Sequence, residues 1–139
     1  ICVTVTHVDG IVLARSVFHH SMNYRSAVVF GRGYVVEGDE EKMAALELFT
    51  EKLLPGRWED ARIPNAKELK ATSIVAIPIE SASAKVRTGD PSDDEEDMEL
   101  PVWAGVIPMR TVLGEPTSAN DLAEELVVPE YIQAYVQKK

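Results

Sequence analysis

The stretch RSAVVFGRGYVVE, residues 25–37, decides the fold that the sequence predicts. Val, Phe and Tyr dominate it, and β-branched and aromatic residues favour strands. Gly31 and Gly33 lie inside it, and glycine within a strand is typical of a bulge or a sharp bend. We therefore predict one long strand here, bent in the way that closes a small antiparallel barrel.

The residues ahead of this strand predict a hairpin. Residues 1–8 alternate apolar and polar side chains, which is the period of a half-buried strand, and residues 11–18 are predicted to return as a second strand. Asp9 and Gly10 suit a type I′ turn between them, because both central positions of that turn need a positive φ. Residues 19–24 are polar, and we predict an irregular connection there.

The residues after the long strand predict one main helix. Asp39 is expected to cap it, and Pro55 with Gly56 is expected to stop it. An apolar stripe at helical spacing is expected to face the core, and it consists of Met43, Leu46, Phe49 and Leu53.

A short helix and two further strands are predicted beyond the main helix. The helix covers residues 65–71, with Asn65 as its cap. A strand follows over residues 72–86, where Pro78 indicates an edge or a bulge, and the last strand covers residues 101–108.

These elements predict a mainly β protein of the α+β class, in which a split β-barrel of antiparallel strands carries one main helix between strands. Residues 1–113 form the barrel domain and residues 114–139 a C-terminal extension. Ile1 lies inside a predicted strand, so we expect further strands ahead of it in the full protein.

The amino-acid composition limits the kinds of partner that the chain is expected to bind. The 139 residues include 14 Lys plus Arg against 23 Asp plus Glu, which gives a formal net charge of −9. Because an acidic surface repels phosphate backbones, no nucleic-acid partner is predicted. The single cysteine, Cys2, excludes an intrachain disulfide and fits a cytoplasmic location. No apolar run approaches the roughly 18 residues of a membrane span, so no membrane partner is predicted.

The sequence predicts no metal site. The acidic segment over residues 89–99 lacks the spacing of a calcium loop and is predicted to be hydrated. His19 and His20 are neighbours, and neighbours on an extended chain point to opposite faces. Catalytic zinc needs about three protein ligands, and the other candidates are His7, Cys2 and scattered carboxylates. One histidine is instead expected to line a pocket and donate a hydrogen bond.

Polar groups collect at the starts and ends of the predicted strands. Residues 23–26 carry amide, phenol, guanidinium and hydroxyl groups, and Lys85 and Arg87 add positive charge at another strand end. Trp103 offers a planar face. Such a set can bind a flat polar ring or its phosphate. Each feature also has a structural explanation, in which Arg25 pairs with a carboxylate and Trp103 packs in the core.

Six segments of the sequence form a recognisable set: FHHSMNYRS (18–26), RSAVVFGRG (25–33), KMAAL (42–46), LLPGRW (53–58), AKVRTG (84–89) and PVWAGV (101–106). Together they resemble the pyridoxamine phosphate oxidase-related flavoproteins, and more narrowly the flavin-nucleotide-binding branch that includes nitroimidazole reductases. The resemblance implies a homodimeric split β-barrel with FMN held at the subunit interface.

The resemblance also implies site residues. Ser26 falls where the family contributes a polar contact to the flavin, and Trp103 falls where the other subunit contributes a tryptophan near the cofactor. By neighbourhood it adds four more cofactor-binding residues, which are Tyr24, Arg25, His20 and Lys85.

Three functions are compatible with these features. The first is an FMN-dependent oxidoreductase that acts on a small molecule such as a nitro-aromatic or a pyridoxine-type amine. The second is a non-enzymatic module that binds or stores flavin or heme. The third is an interaction protein that uses its acidic loop. The flavin itself carries the redox chemistry, which explains why no catalytic triad is recognised in the sequence.

Overall fold

This computed structural model describes residues 1–137, along which three strands, three α-helices, three further strands and a last α-helix follow one another. Six strands follow in chain order, which are β1 (Cys2–Leu13), β2 (Ser21–Phe30), β3 (Tyr34–Val36), β4 (Ile74–Ala76), β5 (Ser81–Arg87) and β6 (Gly105–Pro108). Four α-helices accompany them, which are α1 (Asp39–Leu53), α2 (Arg57–Asp60), α3 (Ala66–Ala71) and α4 (Glu130–Gln137).

The chain divides into two units. We call residues 1–33 and 77–111 the sheet unit, and residues 34–76 and 112–137 the helical unit. The sheet unit contains an antiparallel sheet in the order β5-β2-β1-β6, and the helical unit contains a two-stranded sheet of β3 and β4. The predicted boundary at residue 113, between a barrel domain and a C-terminal extension, stays a prediction.

The predicted turn at Asp9 and Gly10 is wrong, because β1 runs straight through both residues. Val8 pairs with Tyr24 and Gly10 pairs with Asn23, so Asp9 is the extra residue of a β-bulge. Gly10 does not have a positive φ. A Cβ at Gly10 would come within 2.9 Å of the Val106 side chain, so the glycine serves the close approach of β6.

The connection between the first two strands lies later than predicted. Residues 14–20 join β1 to β2, and Val17–His19 form a single 3₁₀ turn there. Ser16 caps that turn, since its hydroxyl accepts a hydrogen bond from the Phe18 amide at 3.3 Å. Residues 21–24, predicted to be irregular, belong to β2.

The long strand predicted over residues 25–37 is interrupted. β2 ends at Phe30, and β3 begins at Tyr34 in the other sheet. Gly31 is buried, and a Cβ there would overlap the carbonyl oxygen of Pro78. Gly31 therefore allows a close crossing of two chain segments instead of a bend within one strand.

The strand predicted over residues 72–86 is also two strands. β4 pairs with β3, and β5 pairs with β2. Residues 77–80, including Pro78, separate them, in keeping with the inability of proline to donate to a strand ladder.

The main helix is confirmed, but its details differ. Gly38 occupies the N-cap, so Asp39 is the first helical residue and stabilises the positive end of the helix from there. The helix stops before Gly56, which has a φ of 88°. Only half of the expected core stripe is covered, since Phe49 and Leu53 remain 64% and 57% exposed.

Two other predicted elements lie at or near their expected places. α3 begins after Asn65, whose side chain accepts hydrogen bonds from the Lys67 and Glu68 amides while the Glu68 carboxylate accepts one from the Asn65 amide. The last strand, β6, covers only the second half of residues 101–108.

The fold class is therefore confirmed as mixed α and β with an antiparallel sheet and few helices. The four-stranded sheet does not close on itself within residues 1–137, so the split barrel stays a prediction. Among the described helices, none has the length and apolar character that crossing a bilayer requires.

Candidate functional site

One face of the four-stranded sheet collects hydroxyl and cationic side chains. Residues that pair directly across antiparallel strands share a face, and every second residue of a strand returns to it. The register Thr6–Ser26–Lys85 therefore defines a face that we call the polar face. Its other members near this centre are Thr4, Tyr24, Val28, Ser83 and Arg87.

Ser26 lies at the centre of the polar face. Its Oγ atom is 2.8 Å from the Oγ1 atom of Thr6 on β1, and either hydroxyl can donate. Lys85 is the partner of Ser26 on β5, and its side chain is exposed. The structure thus brings together Ser26, Lys85 and Tyr24 from the predicted set.

Arg87 is in register with the polar face, but its guanidinium is bound by a residue that points to the other side of the sheet. It pairs with Tyr24 in register, and its guanidinium donates to Oδ1 of Asn23 at 2.8 Å. Asn23 is 7% exposed and donates through Nδ2 to the Gly89 carbonyl at 3.0 Å. Arg87 is therefore held by a buried amide on the opposite side of the sheet, since Asn23 and Tyr24 are neighbours on β2 and point to opposite faces.

Apolar side chains continue the polar face beyond the bulge. Ile11 pairs with Met22 on β2 and with Ile107 on β6, and the three side chains are 36%, 50% and 47% exposed. A cationic and hydroxyl-bearing region thus adjoins an apolar ledge on one sheet face. This combination suits a ligand that has both a flat apolar part and an anionic part.

Arg25 lies on the opposite face, which we call the apolar face. This face carries Val3, Val5, His7, Ala27, Val29, Ala82, Ala84 and Val86 beside it. A shallow cavity of about 230 Å³ opens there, lined by Val5, His7, Arg25, Ser26, Ala27, Ala84 and Val86. All of these residues except Ser26 belong to the apolar face by register, so the cavity lies mainly on that face.

The Arg25 guanidinium is already paired. Its Nε and Nη2 atoms donate to the two carboxylate oxygens of Asp9, both at 2.9 Å. These hydrogen bonds hold the pKa of Asp9 below its ordinary value, and the same bonds raise the pKa of Arg25. Asp9, the extra residue of the bulge, thus positions Arg25. This agrees with the structural explanation of Arg25, in which it pairs with a carboxylate.

His20 lies at the hairpin connection, away from Ser26. Its Nδ1 atom accepts a hydrogen bond from the Ala14 amide at 3.0 Å. A neutral imidazole that accepts at Nδ1 carries its hydrogen on Nε2 and can only donate there. Six residues of strand separate His20 from Ser26, or about 20 Å at the usual rise.

Trp103 is also remote from Ser26 within one chain. It precedes β6, its ring packs against Gly105, and it is 65% exposed. Gly105 pairs with Leu13, whereas Ser26 pairs with Thr6, seven residues back along β1. At about 3.3 Å per residue the two sites are about 20 Å apart or more. This exposure does not fit the alternative explanation in which Trp103 packs in the core.

The acidic segment is partly anchored, which corrects the prediction that it is simply hydrated. The Asp93 side chain is 1% exposed and pairs with Nη1 of Arg15 at 2.9 Å. It also accepts from the Arg15 amide at 2.7 Å. Burial raises the pKa of Asp93, whereas these hydrogen bonds lower it. The lowering is the larger of the two, so the pKa of Asp93 lies below its ordinary value.

One group of His and acidic side chains in the described part of the chain has metal-ligand spacing. Ligand atoms of His19, Asp94 and Asp97 lie within 4.8 Å of one another. His19 Nε2 already contacts the Asp94 carboxylate at 3.1 Å, which accounts for their proximity without an ion.

Comparisons with known proteins agree with the resemblance in the sequence. Residues 1–86 match the family model described as pyridoxamine 5'-phosphate oxidase. This region contains β1, β2 and most of β5, and hence Thr6, Ser26 and Lys85. A search of curated proteins found no significant match.

Two solved structures are similar over nearly the whole chain. The flavocytochrome Anf3 from Azotobacter vinelandii is 41% identical with a TM-score of 0.90, over 96% of this chain and 62% of that protein. The FAD and heme binding protein from Mycobacterium smegmatis is 38% identical with a TM-score of 0.89, over 97% of this chain and 66% of that protein. The chain spans just under two thirds of each. It belongs to the pyridoxamine 5'-phosphate oxidase family.

Proposed function

We propose that this chain is the flavin-binding part of an FMN-dependent oxidoreductase that acts on a small molecule. The observation that carries the proposal is the polar face, where Ser26 contacts Thr6 at 2.8 Å and pairs in register with Lys85. The family match over residues 1–86 includes all three residues and supports the same conclusion.

The donor set of the polar face fits the chemistry of a flavin nucleotide. A phosphate needs cations and hydroxyl donors, which Lys85 and Ser83 of β5 offer. A flavin ring needs an apolar surface with donors near its carbonyl edge. The ledge formed by Ile11, Met22 and Ile107 offers that surface, and Ser26 and Tyr24 are the nearest donors in register.

In this proposal the residues of the chain bind the flavin nucleotide and orient its ring. Lys85 holds the phosphate, and Ser26 donates to the polar edge of the ring. A flavin, when bound, supplies the transfer of two electrons between a donor and the substrate. The substrate class follows from the resemblance, and it is a nitro-aromatic or a pyridoxine-type amine.

A homodimer completes the proposed site. Trp103 lies about 20 Å or more from Ser26 within one chain by the strand rise, so only a second copy can bring a Trp103 ring to this Ser26. We therefore propose two symmetry-related sites, each built from the polar face of one copy and Trp103 of its mate. The apolar face is then the inner face of a split β-barrel.

Flavin titration tests the proposal. The protein is titrated with FMN and, separately, with FAD, and binding is followed by quenching of flavin fluorescence and by the visible spectrum. We expect saturable binding, and we expect Lys85→Gln to weaken it at least tenfold. The matched control replaces Lys67 of α3 by Gln and leaves binding unchanged. A folded wild-type protein that binds neither flavin contradicts the proposal.

A non-enzymatic module is the second candidate. It is favoured by the similarity to a protein described as binding FAD and heme, which is 38% identical to this chain. Rapid mixing of the flavin-loaded protein with a reduced nicotinamide nucleotide separates the candidates. Bleaching of the flavin followed by reoxidation on adding a nitro-aromatic supports the enzyme. A flavin that stays oxidised supports the binding module, and a heme titration then tests its second ligand.

A further inference from the structure

Thr6 and Ser26 form one hydrogen bond through their hydroxyl groups. Only one of the two hydroxyl hydrogens can lie in that bond, and the other must point elsewhere. The two oxygens are 2.8 Å apart, on directly paired residues of β1 and β2. In such a pair one hydroxyl donates, and the other keeps its own hydrogen for a further partner. Which hydroxyl donates therefore decides whether Ser26 offers a ligand a donor or only an acceptor.

The position of Lys85 favours one of the two arrangements. Lys85 pairs with Ser26 from β5, on the side opposite Thr6. An ammonium group only donates hydrogen bonds, and its charge favours oxygen lone pairs and repels hydroxyl hydrogens. Ser26 is then best placed when its oxygen accepts from Thr6 and its hydrogen points away from the sheet, toward a ligand on the polar face.

We propose that Thr6 is a positioning residue that makes Ser26 a hydrogen-bond donor toward the flavin. This inference rests on the proposed function and adds to it a residue outside the predicted site. A donor at the ring's polar edge stabilises the negative charge of reduced flavin more than the neutral oxidised form. Thr6 therefore affects the flavin's reduction potential through Ser26, without contacting the ring.

The test compares valine substitutions at two threonines of the polar face. Thr6→Val removes the hydroxyl and keeps a β-branched side chain, so the strand is not weakened. We expect it to weaken FMN binding about fivefold, the loss of one neutral hydrogen bond, and to shift the flavin potential in the negative direction. Thr4→Val makes the same change two residues away, opposite Val28, and is expected to change neither quantity. Thr6→Ser is expected to restore both.

A double-mutant cycle distinguishes a positioning role from a direct one. If Thr6 acts through Ser26, Thr6→Val has no further effect on affinity or potential in the Ser26→Ala background. Additive effects overturn the inference, and so does a Thr6→Val protein that keeps wild-type affinity and potential. If Thr6→Val melts early, Thr6→Ala replaces it in the same cycle. A folded wild-type protein that binds no flavin overturns the proposed function as well, so the two failures are distinct.

Discussion

The two faces of the four-stranded sheet differ although they are built from alternate residues of the same strands. On the polar face Ser26 sits between Thr6 and Lys85 and is open to a ligand. On the apolar face Arg25 is committed to Asp9 by two hydrogen bonds. The comparison teaches that a polar motif read along one strand divides into a binding half and a structural half.

The largest effect is expected on stability, from a substitution in the part of the sheet that supports both faces. Gly31→Val places side-chain atoms against the Pro78 carbonyl, where even a Cβ does not fit. We expect a loss of about 3 kcal/mol in the free energy of unfolding, at the upper end for overpacking. Thermal and urea unfolding measure it. Gly114→Val is the control, because nothing lies within 4 Å of its Cβ position. Equal stability of the two variants contradicts the close crossing at Gly31.

The next effect tests whether the polar face works with a second copy. Ser26→Glu and Trp103→Ala are each expected to lose tight flavin binding. If each site combines Ser26 of one copy with Trp103 of the other, mixing the two proteins and allowing exchange restores about a quarter of the sites. Half of the dimers are then mixed, and each mixed dimer has one intact site. Flavin titration with active-site counting measures the fraction. A mixture that binds no better than its components contradicts the composite site.

A smaller effect separates the two neighbours on β2. Ser26→Ala is expected to weaken flavin binding by about 1 kcal/mol, the value of one neutral hydrogen bond. Arg25→Gln is expected to leave the affinity unchanged, since Arg25 lies on the other face and is paired with Asp9. Isothermal titration of both variants with FMN makes the comparison. The reverse order of effects would place the flavin on the apolar face.

The smallest effect concerns the Asp9–Arg25 pair alone. The folded chain lowers the pKa of Asp9 from 3.8, so this pair contributes stability above that value and loses it as the pH falls through the folded pKa. Asp9→Asn is therefore expected to be slightly less stable than wild type at neutral pH and to match it in strong acid. Urea unfolding at both pH values measures the difference, with exposed Asp121→Asn as the control. A difference that grows in acid contradicts the pairing.

Local elements of the fold were predictable because their causes are local. Asn65 and Glu68 of the capping box are three residues apart, and the sequence predicted the helix that they begin. Pro55 and Gly56 likewise ended α1 as expected. These signals depend on backbone groups within one turn and need no knowledge of the rest of the chain.

The errors arise where a distant segment decides the local structure. Asp9 and Gly10 have the composition of a tight turn, but the approach of Val106 on β6 makes the glycine part of a strand. Gly31 ends β2 because Pro78 crosses it, 47 residues later in the sequence. The strands predicted over residues 25–37 and 72–86 are each divided in two, because these two segments cross at Gly31 and Pro78.

The candidate site was predictable in part. The resemblance identified Ser26, Lys85 and Tyr24, which the register brings to one face. Thr6 was missed as a site residue, because a strand pattern shows which residues alternate but not which strands lie side by side. The positions of His20 and Trp103 near the hairpin connection depend on that pairing too.

The bulge at Asp9 sets how far the polar face extends. Before it, the even-numbered residues of β1 share a face with Ser26, and after it the odd-numbered Ile11 and Leu13 do. Because Asp9 is the extra residue, deleting it would leave Val8, Gly10 and Ile11 paired with consecutive residues of β2, and Ile11 would stay on the polar face. A relative of this chain can therefore lose this residue without exchanging the two faces of β1, but it then loses the carboxylate that holds Arg25.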